Sequence, residues 1–99
     1  MMEMRSNSFN TAELEQMANR FKLLSEPSRL QIILAICTGE LKVREISHRT
    51  GLNPANVSKH LQMLRNTGVV SCRRVGVCRY YRITDTNVLD LCSKFRQYD

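Results

Sequence analysis

Apolar residues recur at helical spacing through the first two thirds of the chain, change to strand-like runs, and return to helical spacing at the end. Leu14, Met17, Phe21 and Leu24 follow one another at intervals of three and four. They form an apolar stripe on a helix expected over residues 11–24. Glu13, Glu15, Gln16, Arg20 and Lys22 occupy its other positions. Asn10 or Thr11 can cap this helix, and Glu13 stands where a capping box reaches back to Asn10. Residues 1–9 are expected to be a flexible lead.

Ser25 reads as the N-cap of a second helix with Pro27 in its first turn. There Leu30, Ile33, Leu34 and Cys37 are expected on one face, Ile32 and Ile36 widen it, and Gly39 ends the helix. A short third helix over 43–49 turns Val43 and Ile46 inward. Gly51 supplies a left-handed turn residue, Asn53 an N-cap, and Pro54 the first position of a fourth helix. On that helix Val57, Leu61 and Leu64 fall in one narrow arc. The opposite arc is Ala55, Lys59, Gln62 and Asn66, flanked by Asn56 and Ser58, and Gly68 ends the helix. Residues 69–74 and 77–83 are rich in β-branched and aromatic side chains around Val75-Gly76 and read as a β-hairpin. Thr84 or Asp85 then caps a last helix, with Val88, Leu91, Cys92 and Phe95 on one face, ending near Tyr98. This order gives a mainly α fold with a small β-hairpin, a winged helix-turn-helix.

Length and charge narrow the picture. Ninety-nine residues fit one domain with a small core, so a single winged-helix domain over 1–99 is expected, and self-association is a common aid at this size. Net charge is +6, but residues 42–82 hold nine Lys and Arg against Glu45 alone, and the rest of the chain is slightly acidic. A basic middle of this kind is the footprint of a nucleic-acid surface. No apolar run nears the roughly 18 residues of a membrane span. The first ten residues lack a signal-peptide core, so a cytoplasmic location and reduced thiols are expected. No Gly-rich phosphate loop, carboxylate pair or nucleophile–base pair is present, and no enzymatic activity is expected.

In a winged helix the fourth helix enters the major groove through its N-terminal half. Asn56, Ser58, Lys59 and Gln62 suit that task, because Asn and Gln can pair with adenine and Lys with guanine or phosphate. Asn53 and Ala55 border them. His60, about 60° off the buried arc, is expected to be half-buried and hydrogen-bonded, or else in touch with a phosphate. Arg73, Arg74 and Arg79 near the hairpin tip would grip phosphates or the minor groove. A solvated polar face on a protein-interaction module, or an RNA-binding face, remains an alternative.

The chain resembles the bacterial ArsR/SmtB family of metal- and thiol-responsive repressors over residues 18–95. The resemblance rests on L-S-E-P-S-R-L-Q-I (24–32), E-I-S-H-R-T-G-L (45–52), V-S-K-H-L-Q-M-L (57–64), G-V-V (68–70) and Y-Y-R-I (80–83). It implies a homodimer formed by the first and last helices, through Leu14, Met17, Phe21, Val88, Leu91, Cys92 and Phe95. It also implies binding to double-stranded operator DNA and repression until an inducer releases the dimer. The sensing sites of relatives are not reproduced. Where the arsenic and cadmium type resembles E-L-C-V-C-[DE]-[LI], this chain has E-L-K-V-R-E-I at 40–46. Of the zinc type Asp85 remains, but Asn87 replaces its His. No metal site is therefore expected, and neither His48 nor His60 has a second ligand at helical spacing.

Four cysteines are left. Cys37 and Cys92 are most simply core residues, so a repressor without an inducer is one reading. Some relatives sense persulfides or oxidants with one Cys on the second helix and one on the last, though at other positions than Cys37 and Cys92. Cys72 and Cys78 flank the hairpin turn. A two-residue turn at 75–76 puts them on opposite faces, and a three-residue loop at 74–76 sets them directly opposite. With Arg73, Arg74 and Arg79 alongside, a lowered thiol pKa is expected, and redox pairing or arsenite binding there is a hypothesis.

Overall fold

Ile32, Ile33, Ile46, Val57, Leu61, Leu64 and Val69 are sealed from solvent, and five helices and a hairpin are arranged around them. The structure is a computed structural model that describes residues 9–96. The expectations of a lead before residue 9 and of a helix end near Tyr98 lie outside the described residues. The elements are α1 (Thr11–Leu24), α2 (Pro27–Ile36), α3 (Val43–Thr50), α4 (Pro54–Asn66), β1 (Val70–Val75), β2 (Cys78–Ile83) and α5 (Thr86–Arg96).

Local chemistry sets the boundaries. Asn10 Oδ1 accepts from the Glu13 amide at 2.8 Å and Glu13 Oε1 accepts from the Asn10 amide at 2.9 Å, which completes the capping box of α1. Ser25 is the C-cap of α1 rather than the N-cap of α2, and its hydroxyl donates to the Lys22 carbonyl at 2.7 Å. Glu26 caps α2 instead, accepting from the Arg29 amide at 2.9 Å. Pro27 explains the shift. The residue before a proline is pushed out of the helical region, and Glu26 is extended at φ −89, ψ 123.

The core face of α2 also differs from the expectation. Ile32, Ile33 and Ile36 point inward, whereas Leu30 and Leu34 are 38% and 44% exposed. Between Leu30 and Ile36 only Gln31 is polar, which gives periodicity little to choose by. On α4, by contrast, Val57, Leu61 and Leu64 are buried as expected.

The strands pair in register from Val70↔Ile83 to Val75↔Cys78. The hairpin loop is therefore Gly76-Val77, one residue later than expected. Gly76 has φ 62, the left-handed conformation that tight two-residue hairpin turns call for. Leu41 adds a short third edge. Its amide donates to the Tyr81 carbonyl at 3.1 Å and the Tyr81 amide donates back at 2.8 Å. Asp85, rather than Thr84, caps α5, and Oδ1 accepts from the amides of Asn87 and Val88 at 3.0 and 3.3 Å. Its other oxygen lies 3.1 Å from Arg20 Nε, which ties α5 to α1.

The expected apolar face of α5 divides. Val88 and Cys92, one turn apart, are buried in the chain's own core, and Leu91 and Phe95 face outward. On α1 only Leu23 is buried, while Leu14, Met17 and Phe21 are exposed. The radius of gyration is 15.4 Å, against about 13 Å for a compact domain of this size. α1 and α5 carry apolar side chains that no other part of the described chain covers.

Candidate nucleic-acid interface

The α3–turn–α4 unit is built by short-range bonds. Gly51 takes φ 79, and its amide donates to the Ser47 carbonyl at 2.9 Å. The Ser47 hydroxyl reaches across the turn to the Leu52 carbonyl. Asn53 Oδ1 accepts from the Asn56 amide at 2.8 Å, and Pro54 opens α4. With Val57, Leu61 and Leu64 pinned in the core, the roll of α4 is fixed. Ala55, Asn56, Ser58, Lys59 and Gln62 are then all exposed in one continuous polar row. Asn53 is exposed too, but its side-chain oxygen is committed to the cap.

His60 is half-buried as expected, but the hydrogen bond expected of it is not made at Nδ1. Nδ1 is buried and has no partner. A residue that sequence reasoning missed is Arg29. Its Nε donates to the Leu23 carbonyl at 2.7 Å, and its Nη1 lies 3.5 Å from Met63 Sδ. One side chain thus touches both the end of α1 and α4. Only its place beside Pro27, in the first turn of a helix, hinted at a local task.

The arginines of the hairpin separate into two groups. Arg74 and Arg79 are exposed and paired directly across the strands. Like charges in that position repel, and among the described residues no carboxylate forms an ion pair with either. A polyanion would relieve that repulsion. Arg73 is engaged elsewhere. Its Nε lies 3.1 and 3.3 Å from the two Glu40 oxygens, its Nη2 also donates to Glu40, and its guanidinium sits 5.3 Å from the Tyr80 ring centre. Lys42 Nζ lies 5.9 Å from the same ring. The Arg73 hydrogen bonds hold the Glu40 carboxyl below its ordinary 4.5, assisted by the charges of Arg73 and Arg82 and opposed by desolvation. Arg73 is pushed further up in return.

The observed register places Cys72 opposite Tyr81 and Cys78 opposite Val75, so the two thiols lie on opposite faces of the hairpin. The arrangement that would set them directly opposite each other is therefore not formed, because it needs a three-residue loop and this loop has two. Cys37 is half-buried at the C-cap of α2, donating to the Leu34 carbonyl at 3.2 Å, and Cys92 is buried. Among the described residues no three His, Cys, Asp or Glu side chains come together in a way that could hold a metal ion. Asp85 is occupied by its cap and by Arg20. A groove of about 500 Å³ lies between α1 and the start of α5, with Met17, Phe21, Leu24, Val88 and Leu91 among its lining residues. No helix of the described residues is long and apolar enough to cross a membrane.

Comparisons with known proteins meet this geometry. The profile of the family described as "Bacterial regulatory protein, arsR family" matches residues 26–71. The chain is similar to the HTH-type transcriptional regulator Rv0324 of Mycobacterium tuberculosis, at 40% identity over 81% of this chain and 35% of that protein. It therefore spans about a third of that relative's length. It is also similar to the biofilm growth-associated repressor of Xylella fastidiosa, at 32% identity over 90% of this chain and 84% of the other. Among solved structures, a homodimeric winged helix-turn-helix DNA-binding domain from Mycobacterium bovis superposes with a TM-score of 0.77 at 34% identity, covering 98% of this chain and 86% of that one.

The Glu40–Arg73 pair yields a pH prediction. A carboxylate whose pKa is depressed on folding contributes stability above its unfolded value, and that contribution is lost as pH falls through the lowered folded value. Carbon-13 NMR of the Glu40 carboxyl should give a midpoint below 4.5 in the wild type. In Arg73→Ala it should return toward that value. A wild-type midpoint at or above 4.5 would mean that the pair does not persist in solution.

Proposed function

Because this chain belongs to the arsR family of bacterial regulatory proteins, we propose that it binds double-stranded operator DNA as a homodimer and acts as a transcriptional repressor. The observation that carries this reading is the fixed roll of α4. Three buried side chains on one arc oblige Asn56, Ser58, Lys59 and Gln62 to project together from the other. A helix held in this way can enter the major groove, with Asn56 and Gln62 suited to adenine and Lys59 to guanine or phosphate. Arg74 and Arg79 take phosphates beside it. The basic middle of the chain, nine cations against one carboxylate over residues 42–82, supplies the long-range attraction.

The dimer reading rests on the uncovered apolar faces. Leu14, Met17 and Phe21 on α1 and Leu91 and Phe95 on α5 together expose more apolar surface than scattered single residues do. A second copy is the occupant that also gives DNA binding its geometry. Two-fold pairing spaces the α4 helices about one turn of DNA, roughly 34 Å, and calls for a palindromic operator. Val88 and Cys92, placed in the chain's own core, support that surface from beneath. For release from DNA we read the control as thiol-based. Cys37, Cys72 and Cys78 are only half-buried, within reach of an oxidant, a persulfide or arsenite, whereas Cys92 is enclosed.

Three outcomes are expected. A gel shift with DNA upstream of its own operon should be specific and fall steeply with salt, and Lys59→Ala should weaken it by about 1–3 kcal/mol. The absence of a shift at low salt would favour a protein-interaction module instead, and an unchanged affinity would remove Lys59 from the contacts. Phe21→Glu should convert the dimer to monomer in sedimentation while leaving the helical circular dichroism in place; a persisting dimer would move the interface off α1. Treatment with arsenite or peroxide should titrate thiols and release operator DNA together, and thiol loss with DNA binding intact would leave the cysteines without a sensing role.

A further inference from the structure

The pleat of the wing separates its arginines. Arg74 and Arg79 share one face of the hairpin and Arg73 lies on the other, beside Tyr80. Leu41 pairs with Tyr81 along the free edge of β2, which brings its neighbours Glu40 and Lys42 alongside the Arg73 face. Arg73 reaches across β2 to Glu40, 33 residues earlier in the chain, with Nε and Nη2 both donating to the carboxylate. On the way its guanidinium lies over Tyr80. A fork of two N–H groups on one carboxylate is the stronger, more directional form of such a pair, and the aromatic face adds a further attraction. To touch a phosphate, Arg73 would have to give up both. Arg74 and Arg79 would give up only their mutual repulsion.

We propose that Glu40 is the positioning residue of the wing: it draws Arg73 back over Tyr80 and out of the DNA contacts, and leaves Arg74 and Arg79 as the wing's phosphate ligands. This rests on the reading of the wing as a DNA-binding element. Glu40 thereby decides how many charges the wing presents to DNA, and it fastens the hairpin to the segment that leads into α3. Lys42 Nζ also lies over the Tyr80 ring, 5.9 Å from its centre, and adds a second cation to the same cluster. The lowered Glu40 and raised Arg73 pKa values agree with a pair that persists at neutral pH.

The test is the salt dependence of operator binding by the full chain at pH 7, in the wild type, Glu40→Gln, Arg73→Ala and the double variant. The slope of log K against log salt counts neutralised phosphates, at about 0.9 per contact on duplex DNA. It does so even if a loosened wing changes the affinity itself. Arg73→Ala alone should leave the slope unchanged. Glu40→Gln should steepen it by about 0.9 per subunit as Arg73 is set free, and the double variant should return to the wild-type slope. Glu45→Gln removes the same charge from a carboxylate that accepts from the Lys42 amide and, among the described residues, forms no ion pair, and it should not steepen the slope. Three results would overturn the proposal: a flatter slope in Arg73→Ala, no steepening in Glu40→Gln, or a steepening that survives the loss of Arg73. No operator shift by the wild type would overturn the DNA-binding reading itself and this proposal with it, whereas the slope outcomes bear on this proposal alone.

Discussion

The burial of Val57, Leu61 and Leu64 is the constraint on which the rest depends. A helix of thirteen residues has no preferred orientation until something fixes its roll about its own axis. Here three apolar side chains within one arc do so, against a core supplied by Ile32, Ile33 and Ile36 of α2 and Ile46 of α3. Turning α4 by even one residue would bring Ser58 or Gln62 into that core, and burying an unpaired polar group costs a few kcal/mol. The polar row of α4 is therefore held in place by what lies behind it. Asn53 and Gly51 fix where the helix starts, and the core fixes which way it faces.

How much of this could be read from the sequence depended on how cleanly each segment separates apolar from polar positions. On α4 the separation is sharp, and its buried face, cap and exposed row were all legible. From Leu30 to Ile36 of α2 six of the seven side chains are apolar, so the pattern gave no reason to prefer Ile32 and Ile36 over Leu30 and Leu34 as the inward side. On α5 the apolar residues span two adjacent faces, one for the chain's own core and one outside it, and a single stripe hid the division between Val88 with Cys92 and Leu91 with Phe95. The one-residue errors at Ser25 and at the hairpin loop come from competing local signals. Pro27 selects Glu26 as cap by fixing its backbone, and Gly76 must occupy the first loop position rather than the second.

The site was less legible than the fold because its deciding contacts are non-local. The sequence places Arg73, Arg74 and Arg79 together near one tip and makes them look equivalent. Their difference arises from the strand pleat and from Glu40, far away in the chain, brought close by the Leu41–Tyr81 bridge. In the same way, the reactivity imagined for Cys72 and Cys78 depended on a loop length that differs by a single residue between facing and opposed. Register determines such questions, and register follows from the turn and from which residues the core demands, here Val70, Tyr81 and Ile83.

The two ends of the chain and its middle are not independent. Asp85 fixes the start of α5 and holds Arg20 of α1, so the two helices with uncovered apolar faces are joined by an ion pair whose carboxylate is only 7% exposed. Arg29 then bonds the last turn of α1 at Leu23 and touches α4 at Met63. The surface that a second copy would cover and the surface that would read DNA are thus separated by two side chains. Arg29 therefore links the last turn of α1 to the outer side of α4, while the roll of α4 itself is held by its own buried arc.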